Sequence, residues 1–161
     1  TVFFNSSLFR FCFENKFPEL QGNSREIKKN ILEMLPVYYL DNESLNCKFN
    51  TICDYLVFSY NPSNGFFNSK TVNEILQIFD DLSNMMVYEL YFEEHMKEKE
   101  IDVLQFIDFP DISKMQSFEE KRDAIQKIYF WLKEKDNPIR NRILVSESRS
   151  WIIKSINQST H

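Results

Sequence analysis

Two glycines, Gly22 and Gly65, are all that this chain contains, and their scarcity removes several functions at once. A phosphate-cradling loop needs glycines at close spacing, so neither a P-loop nor a dinucleotide-binding turn can be built. No Gly-x-Ser-x-Gly nucleophile elbow occurs either. With only five prolines, β-turns should be rare and long helices common. Cysteine is limited to Cys12, Cys47 and Cys53, an odd number without a CxxC pair. Cys12 and Cys53 lie among apolar neighbours. They read as reduced thiols of a cytoplasmic protein, not as a disulfide framework. The only histidines are His95 and His161. Neither has clustered ligands at helical or knuckle spacing, so no metal site is expected. No run of 18 apolar residues is present, which argues against a membrane span and against a membrane partner. The opening Thr-Val-Phe-Phe-Asn has no initiator Met and no basic segment before a long apolar run, so it is not a signal peptide. It starts mid-pattern on residues of buried type, and the expectation is a fragment of a larger protein.

What the chain does have is aromatic mass. Sixteen phenylalanines and 43% hydrophobic residues among 161 give material for a core, or for a core and an interface. The formal charge of −5 is unevenly spread. Residues 1–40 carry five basic and four acidic side chains, residues 41–118 five and fourteen, and residues 119–161 nine and six. The acidic excess therefore sits in the middle, and local arrangement decides which partners the surface tolerates.

The spacing predicts helices almost throughout. Residues 2–16 carry two stripes, Phe4–Leu8–Phe11–Cys12 and Phe9–Phe13–Phe17, and a helix apolar on two sides is buried on two sides. Pro18 should end it. After the turn Gly22–Ser24, Asn23 or Ser24 supplies the N-cap of a second helix. Its core stripe is Ile27, Ile31, Met34 and Leu35, and it stops at Pro36. Arg25, Lys28 and Lys29 fall on the opposite side. They read as a solvated face or as phosphate contacts. A short extended piece, at most one short strand, is expected near residues 37–40. A third helix spans 43–60 with Leu45, Phe49, Ile52, Cys53, Leu56 and Tyr60 on one face. A fourth begins near Ser69 or Thr71, with Thr71 and Glu74 as a capping box, and keeps its period to Tyr91 as a central strut. Phe92–Glu100 is a charged stretch expected to be an exposed helical turn. A short helix follows near 102–107. Ser117 and Glu120 cap a fifth long helix with Phe118, Ile125, Ile128, Tyr129 and Leu132 inward. Asn137-Pro138 starts another, and Ser148–Asn157 is an amphipathic end with Trp151, Ile152 and Ile156 for docking. The fold class expected is mainly α, an irregular multi-helix bundle.

Catalytic constellations are missing. The pairs Asp80-Asp81 and Glu93-Glu94 diverge by about 100° on a helix, so neither pair shares a site, and both read as solvated surface. Asn61-Pro62-Ser63-Asn64 approaches the Asn-Pro-Pro-Tyr loop with which adenine-N6 methyltransferases grip a flipped base. Its third position is Ser and the aromatic is absent, so it reads as a turn.

Three motifs in order carry a family resemblance. The first comprises Asn5, Ser6, Ser7, Leu8, Phe17, Pro18, Glu19, Leu20, Gly22, Arg25, Lys28, Lys29, Leu35 and Pro36. The second is Met86-Val87-Tyr88-Glu89-Leu90-Tyr91-Phe92-Glu93-Glu94-His95-Met96. The third is Asn137-Pro138-Ile139-Arg140-Asn141-Arg142. Together they resemble the C-terminal specificity region of TaqI-like bacterial restriction-modification DNA adenine methylases, including those that fuse methylase and nuclease. The resemblance implies that residues 1–40 close a target-recognition region and that 41–161 form a helical C-terminal module. It implies double-stranded DNA and the remainder of the parent enzyme as partners, and S-adenosylmethionine as cofactor of the parent but not of this piece. No catalytic residue is expected. DNA-backbone contacts would come from Asn23, Ser24, Arg25, Lys28 and Lys29, because a helix N-terminus with adjacent cations suits a phosphate. Arg10, Lys16, Arg140 and Arg142 are weaker candidates, with Arg149 and Lys154 in the same second basic area. The alternative is a helical protein–protein interaction or dimerisation module that uses exposed Phe and Trp.

Overall fold

The computed structural model describes residues 2–17, 29–35, 37–38, 41–61 and 69–159. They form a mainly α, irregular multi-helix bundle, with no strand among the described residues. The helices are α1 (Ser7–Lys16), α2 (Lys29–Leu32), α3 (Glu43–Tyr60), α4 (Ser69–Tyr91), α5 (Glu93–Glu98), α6 (Phe118–Lys133), α7 (Pro138–Arg149) and α8 (Trp151–Ser159). Single 3-10 turns occur at Phe3–Asn5, Leu104–Phe106 and Ile112–Lys114. No described helix is long and apolar enough to cross a membrane. Val37 and Tyr38 have no regular structure, and Tyr39 and Leu40 lie outside the described residues.

The central strut is α4. Its stripe Ile75, Phe79, Leu82 and Met86 is fully buried, and Met85, Val87 and Tyr88 are buried as well. A side chain of this size removed from water contributes about 1.5–3 kcal/mol. Helix α3 packs on one side of it, where the Tyr55 ring meets Phe79 edge-on at 5.3 Å. The Tyr55 hydroxyl donates to the Pro110 carbonyl at 2.8 Å, which satisfies the polar end of a buried aromatic. Helices α1, α6 and α7 pack against other parts of α4, and α8 packs on α1 and α7.

The expected first helix is divided. Ser6 has extended backbone geometry and its side chain accepts from the Phe9 N–H, so α1 starts only at Ser7. A continuous apolar pattern hid this cap. The 3-10 turn before it leaves Phe4 at 49% exposure. Just beyond α2, Met34 is 79% exposed instead of joining a core stripe, whereas Leu35 is buried. Ile27 and Pro36 lie outside the described residues, as do Pro18 and the Gly22–Ser24 turn. Tyr60, expected on the apolar face of α3, and Trp151, expected to dock, are both 74% exposed. For Trp151 the docking role passes to Ile153 and Ile156. Glu74 reaches across to another helix. Its carboxylate accepts from the Tyr129 hydroxyl at 2.7 Å and from Lys133 at 3.0 Å, which ties α4 to α6.

Several sequence signals are met. Ser117 and Glu120 form the full capping box at the start of α6, and Asn137 caps α7 with Pro138 in its first turn. The segment 92–100 forms α5, but its Met96 is fully buried, so the stretch is not simply exposed. Two residues past the end of α5, Glu100 has φ 55°. The Ile101 N–H returns to the Met96 carbonyl at 2.9 Å and the Glu100 N–H to that of Lys97 at 3.0 Å. This is the left-handed helix stop that glycine usually supplies. It directs the chain back across α4.

There the chain meets Glu89. This residue is 4% exposed, and one carboxylate oxygen accepts from both the Val103 N–H at 2.5 Å and the Leu104 N–H at 2.8 Å. Two backbone donors that burial would otherwise orphan are thereby satisfied. Burial pushes the Glu89 carboxyl above its ordinary value, and the two N–H bonds partly oppose that rise.

Candidate functional site

The described DNA candidates lie on α1, α2 and α7. Asn23, Ser24, Arg25 and Lys28 lie outside the described residues. Lys29 opens α2 with its side chain 89% exposed and Glu33 at 3.7 Å. Arg10 pairs with Glu14 at 3.1 Å, one helical turn along α1, and Lys16 is exposed at the end of that helix. The second basic area is largely turned to internal use. The Arg142 guanidinium sits 4.3 Å over the Phe106 ring, and its Nη1 donates to the Pro138 carbonyl at 3.3 Å. Arg149 donates to the Lys99 carbonyl at 3.1 Å and lies 3.3 Å from Glu100. Arg140 is half-buried and Lys154 exposed. The contacts of Arg142 and Arg149 anchor the 99–106 segment to α7.

A half-open cleft of about 840 Å³ lies elsewhere, between α1, α4, α7 and α8. Its first wall is aromatic. Phe4 meets Phe9 edge-on at 5.0 Å, and Phe9 stacks toward Phe13 at 6.0 Å. The i, i+4 spacing of Phe9 and Phe13 puts both rings on one face of α1. That helix is held in place by the Ser7 N–H, which donates to the Asn84 side-chain oxygen of α4 at 2.7 Å.

The second wall is acidic. Gln77, Asp80, Asp81 and Asn84 project from α4, one helical turn or less apart. Gln77 donates to Asp81 at 2.8 Å. Burial against the cleft raises the carboxyl pKa values of both Asp80 and Asp81. For Asp81 the Gln77 bond opposes the rise and the neighbouring Asp80 charge adds to it. Asp80 is exposed and Asp81 half-buried, and both line the cleft.

The floor is built from Met85, Tyr88 and Ile153, all buried, with Ile143 beside them. A polar relay closes its far end. The Tyr88 hydroxyl donates to the Asn157 side-chain oxygen at 2.6 Å, and the Asn157 amide donates to Glu147 at 2.7 Å. Burial pushes the Tyr88 hydroxyl up to about 12, so it stays a donor throughout the physiological range. Leu144, 64% exposed, stands on the lip opposite Phe4 and its aromatic wall.

No group of metal ligands is found among the described residues. His95 lies in α5. Its Nε2 lies 2.9 Å from the hydroxyl of Ser150, a fully buried residue at the α7–α8 corner, so its contact joins helices. Among the described residues, the cleft lining holds no nucleophile paired with a base. The cleft is apolar at the base and negative on one side.

No protein-family model, no curated protein and no solved structure matches this chain.

Proposed function

We propose that this chain is a non-catalytic helical specificity module of a restriction-modification adenine methyltransferase or endonuclease. In this reading it supports target recognition and touches the DNA backbone through Asn23, Ser24, Arg25, Lys28 and Lys29. What supports it is the role that the fold gives to two of the matched motifs. In Met86–Met96, the residues Met86, Val87, Tyr88, Glu89 and Met96 are buried, and Glu89 clasps the returning chain. In Asn137–Arg142, Asn137 caps α7, Ile139 is fully buried and Arg142 stacks on Phe106. Residues that make corners and clasps are those that a shared architecture retains, and they carry no catalytic chemistry. S-adenosylmethionine and base flipping would belong to other parts of the parent.

The test is a chain carrying these residues together with a complete upstream recognition region, titrated with duplex DNA at several salt concentrations. Affinity should fall steeply with salt. The double change Lys28→Glu and Lys29→Glu should weaken binding on every sequence alike and reduce the salt slope by about 1 to 2. Absence of duplex binding at low salt would count decisively against the reading.

The second reading, a protein–protein interaction module, is favoured by the cleft and by exposed Phe4 and Leu144 at its edges.

A further inference from the structure

We infer that the cleft between α1, α4, α7 and α8 is a docking site for a basic amphipathic segment of another polypeptide, with apolar side chains on Phe9, Phe13 and Met85 and cationic ones on Asp80, Asp81 and Glu147. The inference does not rest on the DNA reading and gives the interaction reading its partner.

Charge complementarity selects the occupant. Three carboxylates line the cleft against one cation, Arg10, and that cation is paired with Glu14. A nucleic-acid backbone would be repelled here. Lysine or arginine suits this wall, and a guanidinium or ammonium can also lie over the aromatic faces opposite. Shape argues for a chain segment. Small ligands are usually enclosed over most of their surface. This cleft is half-open and has exposed apolar groups, Phe4 and Leu144, at its edges. A covering helix would remove those groups from water while its cations reach the α4 carboxylates, which is the helix-in-groove mode.

The probe is a labelled synthetic helix with Leu at positions i, i+3, i+4 and i+7 and Lys elsewhere, compared with a twin carrying Glu for Lys. Binding to the full chain is read by fluorescence anisotropy, with thermal melting as the check on folding. The Lys peptide should bind and the Glu twin should not. The double variant Asp80→Asn, Asp81→Asn should weaken binding about tenfold. Leu144→Ser should weaken it by a factor of several. The charge-matched control Glu94→Gln, Asp136→Asn, at exposed positions outside the cleft, should leave it unchanged. Equal losses in the two double variants would overturn the proposal, since the peptide would then be responding to net charge alone. Failure of the Lys peptide to bind, or equal binding of the Glu twin, would overturn it as well. So would competition by spermine as effective as that of the peptide, because an apolar floor would then contribute nothing.

Discussion

Helix α4 carries two kinds of desolvated carboxylate, and their difference separates structure from recognition. Glu89 is buried and meets two backbone N–H groups from residues 103 and 104. Asp80 and Asp81, two to three turns earlier, have their pKa values raised by burial too. Yet the hydrogen bond to the Asp81 carboxylate comes from a side chain of the same helix, Gln77. One carboxylate is consumed by the fold. The other two keep acceptor capacity directed at a cleft. Burial alone therefore does not tell a structural acid from a recognition acid. The origin of the donors does.

The largest effect should come from breaking the clasp. Glu89→Ala leaves two buried N–H groups without an acceptor, and each costs about 1–3 kcal/mol, so a loss of about 3 kcal/mol or more is expected in denaturant unfolding. Glu89→Gln keeps one oxygen for both donors and should lose far less. The pH dependence has a definite sign. Because the native carboxyl is raised above 4.5, the folded state retains a proton that the unfolded chain has already released. The wild type should lose this contribution as pH rises from the ordinary value through the raised one. The stability of the E89Q variant relative to the wild type should therefore rise over that interval, as read in unfolding curves taken at successive pH values.

A buried amide offers an intermediate case. Asn137 is 2% exposed, accepts from the Arg140 N–H at 3.0 Å and donates to the Trp131 carbonyl at 3.0 Å. Asn137→Ala should cost about 1–2 kcal/mol through the lost cap and the lost bond to the Trp131 carbonyl, which keeps the Glu134 N–H, measured in the same unfolding assay. The smallest effect should come from the cleft. Asp80→Asn with Asp81→Asn should change stability by no more than about 0.5 kcal/mol, as expected for side chains at the surface of a cleft and outside the core. A cost comparable to that of Glu89→Ala would erase the distinction between the two sites.

Much of the helical framework was legible in the sequence because its signals are local. The Ser117–Glu120 box, the Asn137-Pro138 start and the apolar period of α4 each lie within a few turns. Met34, Tyr60 and Trp151 were misassigned for one reason. Periodicity places a residue on a face, but only a packed neighbour makes that face a core. Ser6 was missed because its cap interrupts an otherwise continuous apolar pattern. The cleft was not legible at all. It joins Phe4–Phe13, Gln77–Tyr88, Ile143–Glu147 and Ile153–Asn157, segments that are brought together only by the bundle. Glu89 carried a signal that could have been used, a lone acid between Tyr88 and Leu90 in an apolar run.

The division of labour along α4 is tested most directly by the affinity of the Lys–Leu peptide for two variants of the full chain. Asp80→Asn with Asp81→Asn should lose about tenfold in binding with an unchanged melting temperature, while Glu89→Gln should bind as the wild type does. Equal losses from both would mean that the cleft and the clasp are not separate, and would contradict that division.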